Sequence, residues 1–268
     1  MSDLTVLDVL LWVAFPYIAA ASFIVGHILR YRYDKFGWTS RSSQTYESRW
    51  LRWGSPMFHY GILGVFVGHV VGLLIPREWT EFFGITEEMY HIVATWAGFI
   101  VGLITVAGIV ILLARRGAVR RVFRVTTVMD VVMYVFLAGS VVFGMLAVFN
   151  FQVVGQFQTP VTEYNYRETV SPWIRSLILF QPDATFMLGV PLVFKLHVLV
   201  STGLFLIWPY TRLVHVLSAP IGYLFRPYVV YRSRDDQRGA RAVRRGWQKS
   251  PVIDSTASKH KQKLSSRR

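Results

Sequence analysis

The chain alternates between long apolar runs and short charged segments. Five runs are long enough, at about 1.5 Å of rise per helical residue, to cross roughly 30 Å of hydrocarbon. They cover approximately Thr5–Leu29, Gly54–Ile75, His91–Ala114, Thr126–Asn150 and Gly189–Leu217. No repeat links them. The pattern predicts an all-α, integral membrane five-helix bundle.

The segments between the runs alternate in charge. Residues 30–52 hold Arg30, Arg32, Lys35, Arg41, Arg49 and Arg52, and residues 76–90 hold Glu78, Glu81, Glu87 and Glu88 against Arg77. Residues 115–125 hold arginines and no acid, residues 151–188 are mixed, and the end of the chain is strongly basic. The excess of Lys and Arg on cytoplasmic loops then predicts the N-terminus outside and the C-terminus cytoplasmic. The expected organisation is a five-span membrane domain over 1–225 and a basic cytoplasmic tail over 226–268, partly disordered. In the long outer loop, "SPWIRSLILF" offers Ser171 as N-cap and Pro172 at the first helical position. It predicts a short amphipathic helix lying in the outer interface.

The second run, "FHYGILGVFVGHVVGLLIP", carries no acid, Lys or Arg, yet it holds His59 and His69. The fifth run, "KLHVLVSTGLFLIWPYTRLVHVL", holds His197 and His215. The two runs cross in opposite senses, so depth pairs His59 with His215 and His69 with His197. Two neutral imidazoles at one depth on facing helices are the axial ligands of a six-coordinate b-type haem, and two such sites make a transmembrane electron wire. The spacings disagree: ten residues rise about 15 Å and eighteen about 27 Å. Pro209 lies in the longer gap and is expected to kink the fifth helix, with His197 and His215 on one face after five whole turns. The plainer alternative is a set of histidines that each hydrogen-bond a neighbouring helix. His27 has no partner at its depth and reads as structural, and His260 reads as solvated in the tail. Gly61, Gly64, Gly68 and Gly72 suit close packing, against a cofactor or another helix. Asp130 reads as complementing the dipole of the fourth helix.

Composition narrows the chemistry. The chain is 53% hydrophobic with a formal charge of +14. The last 37 residues, from Arg232, hold 12 Lys/Arg and 3 Asp/Glu, or +9 of that charge. The basicity belongs to a tail that meets anionic lipid or a partner protein, not nucleic acid. There is no cysteine. An ordinary iron–sulfur cluster, a c-type haem and a disulfide are therefore excluded. The first residues lack the positive stretch of a cleaved signal peptide.

"FHYGILGVFVGH", "RLVH", "PYIAAASFIVGHILRYRYD" and "VTTVMDVVM" together resemble the gamma subunit of membrane-bound respiratory nitrate reductase, over roughly residues 10–230. The resemblance implies a di-haem cytochrome b of the cell membrane. Such a subunit oxidises quinol, menaquinol or ubiquinol, near the outer haem. It passes the electrons through an inner haem to a cytoplasmic iron–sulfur beta subunit and a molybdenum-containing alpha subunit. By matching position, His69 and His197 resemble the outer ligands and His59 and His215 the inner ones. Members often carry a Lys entering the third span; "EEMYHIV" has none, which leaves Gly68, Tyr90 and His91 as quinol-site candidates. The stretch "FRPYVVYRSR" past Tyr223 is an expected docking arm. The competing readings are a related cytochrome feeding a sulfite-reductase-linked or heterodisulfide-reductase-like complex, and a haem-free anchor or transporter.

Overall fold

The computed structural model describes residues 4–157, 164–218 and 225. Among these residues all regular structure is helical, with no strand. The chain divides into two units, Met1–Ala219 and Pro220–Arg268. Apart from Phe225, the second lies outside the described residues, and with it the expected docking stretch and basic tail.

Five helices are long and apolar enough to cross a membrane: Val6–Tyr33, Leu51–Leu74, Glu87–Ala118, Val128–Val154 and Leu192–Tyr210. Local chemistry sets their ends. The first runs past Leu29 to Tyr33, with Arg30 and Arg32 in a last turn whose free carbonyls favour cations. The third begins at Glu87 because Thr86 caps it, its side chain accepting from the Met89 N–H at 3.3 Å. The fourth opens on a reciprocal capping box between Thr127 and Asp130.

The fifth span corrects an expectation. It does not continue to Leu217 as a kinked helix. The α-helix stops at Ile207, tightens into a 3-10 turn over Trp208–Tyr210, and Thr211 is extended. A separate 3-10 stretch, Arg212–Ser218, carries His215. Pro209 has no N–H to donate and crowds the carbonyl four residues earlier, so the α-helix ends there instead of bending.

Prolines shape two other spans. Before Pro16 the first helix widens into a π turn over Leu10–Ala14. The Trp12 carbonyl, four residues ahead of Pro16, accepts from Trp173 Nε1 at 2.9 Å. Pro76 follows the end of the second span, leaving late carbonyls without helical partners. Gly72 O accepts from Ser171 Oγ at 2.9 Å and Leu73 O from Arg175 at 3.3 Å. All these donors come from one short helix, Val170–Ile178, which buries Val170, Ser171, Trp173 and Leu177. The helix begins earlier than the sequence suggests: Thr169 is the N-cap, and Ser171 is buried inside the helix. Ser171 does not cap because it lies inside the first turn, and its hydroxyl donates to the second span.

The second span packs on the third, the third on the fourth, the fourth on the fifth and the fifth on the first. A Cβ on Gly61 would lie 2.5 Å from Thr105 Oγ1, and one on Gly108 2.4 Å from the Phe58 backbone nitrogen. These glycines let helix backbones approach closely. Outward-facing Val6, Ile18, Phe66, Val93, Val135 and Leu192 are exposed, while Arg115, Asp130 and Arg167 are buried. Apolar outside and charged inside is the arrangement of a multi-pass membrane protein.

Candidate functional site

Four histidines face one another in two pairs. The His59 and His215 ring centroids are 6.1 Å apart, with planes at 64°. Those of His69 and His197 are 6.0 Å apart, at 37°. The four lie on the second span, the fifth span and the 3-10 stretch after it. The break at Pro209–Thr211 takes His215 off the helix that carries His197, so the unequal ten- and eighteen-residue spacings need not match along one axis.

Each ring has its Nδ1 bound to a backbone carbonyl. His59 donates to Ser55 O at 2.7 Å and His69 to Val65 O at 2.8 Å, both one turn back on the same helix. His215 donates to Arg212 O at 2.6 Å. His197 reaches across to Ser140 O on the fourth span at 2.9 Å. A carbonyl only accepts, so each Nδ1 carries the proton and each Nε2 keeps its lone pair. Metal-binding imidazoles are fixed in the same way, by a hydrogen bond from the other ring nitrogen.

The separation fits a metal between the rings. Two metal–imidazole bonds of about 2 Å, added to the half-widths of two rings, come to roughly 6 Å. Among the described residues, no group of three or more His, Cys, Asp or Glu is arranged to hold a bare ion. Paired imidazoles alone suit an ion whose remaining ligands come from a macrocycle, as in haem. The donor set therefore fits two b-type haems.

The fourth span contributes residues that the spacing argument missed. A Cβ on Gly144 would lie 2.9 Å from His197 Cε1, so this glycine makes room for the ring. Ser140 supplies the carbonyl that His197 uses, and its hydroxyl lies 2.6 Å from Ser201 Oγ. Neither has a sequence signal, because their importance depends on which helix packs beside His197. His27 is buried, bonds Phe23 O at 2.6 Å and packs at a tilt against the Phe23 and Trp38 rings.

The quinol-site candidates separate. Of the five glycines on the second span, only Gly68 has no heavy atom within 4 Å of a Cβ position, and Gly54 meets Ile111. Gly61 and Gly64 meet Thr105 and Val101, while Gly72 meets the hydroxyls of Tyr90 and Tyr166. Tyr90 is buried, and its hydroxyl lies 3.0 Å from that of Tyr166. His91 Nε2 lies 3.2 Å from Glu87. Glu87 also pairs with Arg167 at 2.9 Å, and the Arg167 guanidinium lies 3.9 Å from the Tyr90 ring centroid. The Glu87–His91 contact is legible as an i, i+4 pair. Arg167 and Tyr166 come from a loop far along the chain, and no local pattern points to them. Burial, with Tyr90 beside it, pushes the Tyr166 phenol well above the ordinary tyrosine range, so it stays neutral.

A model of the nitrate reductase gamma subunit family matches residues 8–234. The chain is 51% identical over 239 residues to the nitrate reductase-like protein NarX of Mycobacterium tuberculosis H37Rv, covering 89% of this chain and 36% of NarX. It is 43% identical over 226 residues to the nitrate reductase gamma chain of Bacillus subtilis, covering 84% and 98%. With the respiratory nitrate reductase 1 gamma chain of Escherichia coli K12 the identity is 34% over 221 residues, covering 82% and 95%. The chain thus spans about a third of NarX and nearly all of the two gamma chains.

Proposed function

The chain belongs to the nitrate reductase gamma subunit family, and from that premise we propose that it is a quinol-oxidising cytochrome b subunit of a nitrate reductase complex. His59 and His215 would hold an inner b haem, and His69 and His197 an outer one. When bound, the two haems supply one-electron carriers to a chain that has no cysteine for a cluster of its own. The observation that carries the reading is the two imidazole pairs at 6.0 and 6.1 Å, every Nδ1 tied to a carbonyl.

The proposed orientation puts the N-terminus outside, so the His69 end faces outward. Quinol is oxidised there, beside the space at Gly68, with Tyr90 and His91 near the same end. Electrons moving inward against an inside-negative potential each store about 2.3 kcal/mol per 100 mV, which a site at the inner end would forgo. The electrons leave to a cytoplasmic iron–sulfur beta subunit and a molybdenum-containing alpha subunit, which carries out nitrate reduction.

Reduced-minus-oxidised spectra of single histidine variants test the assignment. His59→Ala and His215→Ala should each remove the same haem, and the double variant little more. His69→Ala and His197→Ala should remove the other. Loss of the same haem from His59 and His69 variants would contradict the pairing, and a wild-type chain without haem absorbance would contradict the function.

A further inference from the structure

His215 alone of the four rings sits outside an α-helix, on the 3-10 stretch Arg212–Ser218. Such stretches have poorer internal hydrogen bonds than α-helices. Here side chains from elsewhere hold the backbone. Trp38 Nε1 donates to Val214 O at 2.7 Å and Trp208 Nε1 to Leu213 O at 3.0 Å. Arg30 donates to Pro209 O at 2.6 Å and to Thr211 O at 3.3 Å.

Arg212 occupies a particular place in this clamp. Its carbonyl accepts from His215 Nδ1 at 2.6 Å, and its guanidinium grips Asp130 with a fork: Nε to Oδ1 at 2.7 Å and Nη2 to Oδ2 at 2.5 Å. The remaining nitrogen, Nη1, donates to Arg41 O at 3.3 Å. Asp130 is 2% exposed and fixed in turn by the Thr127 N–H at 2.9 Å. A planar guanidinium held on two of its three nitrogens by a buried carboxylate has little freedom to turn. One residue thus anchors the ring and is itself anchored to the start of the fourth span.

We propose that the Asp130–Arg212 pair is the positioning device of the inner imidazole pair, setting the orientation of His215 and the local charge around it. The proposal rests on the haem reading of His59 and His215. It extends that reading to two residues that would not coordinate the iron themselves, Arg212 acting through His215 and Asp130 through Arg212. Removing the carboxylate charge leaves Arg212 cationic, because a guanidinium does not deprotonate in proteins. An uncompensated positive charge beside the site favours the electron-rich, reduced state. The outer pair lies at the other end of the bundle, away from this clamp.

The test is redox titration and low-temperature EPR of the membrane-bound complex carrying D130N, R212K or the double variant D130N/R212Q. D130N should shift the inner haem's reduction equilibrium about tenfold toward the reduced form, close to 59 mV for one electron, and leave the outer haem unmoved. R212K keeps the charge and loses the fork, so its potential should stay near wild type while the inner low-spin signal shifts. The double variant removes both charges, so its potential should return toward wild type with the signal still altered. Inner-haem potential and signal unchanged in D130N, or equal shifts of both haems, overturn the proposal. If D130N fails to assemble, R212K decides, and an unaltered inner signal there overturns it as well. A wild-type complex with no inner haem defeats the underlying haem reading instead.

Discussion

A histidine becomes a ligand through what fixes its second nitrogen and what makes room for its ring. The two pairs differ in plane angle, 64° for His59 and His215 against 37° for His69 and His197. Crossed imidazole planes give low-spin ferric haem a more anisotropic EPR spectrum, so the haem lost in His59→Ala should be the one with the larger anisotropy. The converse assignment would show that these angles do not survive haem binding. At the other pair, Gly144→Val should displace His197, since even a Cβ would stand 2.9 Å from its ring. Overpacking of this kind costs about 1–3 kcal/mol. Here it should empty the outer haem while the inner spectrum persists. His91→Phe and Tyr90→Phe address the quinol end. Quinol-driven turnover should fall while turnover with an artificial donor to the partner subunits, and both haem spectra, stay unchanged. Normal quinol kinetics in both variants would remove these residues from the site.

At the scale of elements, the ends of helices carry the specific chemistry. The helix Val170–Ile178 serves carbonyls that Pro16 and Pro76 leave without helical partners. Ser171→Ala should cost about 1–3 kcal/mol by leaving the Gly72 carbonyl buried and unpaired. The loss should appear as a lower thermal midpoint of the purified complex in detergent, and an unchanged midpoint would mean water replaces the hydroxyl. The fifth span makes the complementary point. Its apolar pattern continues to Leu217, but hydrophobicity does not specify helix type. Pro209 could have bent the helix or ended it. The close approach of Gly26, where a Cβ would be 2.7 Å from Pro209 Cβ, fixes the corner against the first span.

At the scale of the whole bundle, among the described residues, ion pairs with one buried partner each tie Glu47 to Arg115, Asp130 to Arg212 and Glu87 to Arg167, and the flank is apolar. Reporter fusions test the proposed orientation: one at Leu74 and one at the C-terminus should report opposite sides, the latter cytoplasmic. An external C-terminus would reverse the outer and inner assignments together. Stability should also fall in acid. Burial works to raise the Glu47 carboxyl, but the Trp50 N–H and Arg115 outweigh it and hold the group below its ordinary 4.5. A carboxyl lowered on folding contributes stability that is present above 4.5 and lost as pH falls through the folded value. Glu47→Gln should flatten this acid limb of the unfolding curve, and an identical limb would exclude the Glu47–Arg115 pair as its source.

Single residues and short patterns were enough for five spans, because each span must satisfy its own backbone in lipid and so must be long, apolar and helical. The same pattern brought out His59, His69, His197 and His215, since polar side chains stand out where everything else is hydrocarbon. Helix starts at Thr86 and Thr127 were written locally too, in capping residues. What lies across the bundle was not. Gly144, Ser140, Arg167 and the Asp130–Arg212 fork matter only through neighbours tens of residues away, and periodicity within one helix carries no record of which helix packs beside it. Asp130 shows the difference. Read locally it complements a helix dipole, and in the folded chain it also holds the arginine that anchors His215, because a buried carboxylate must find a charge and only the tertiary structure supplies one.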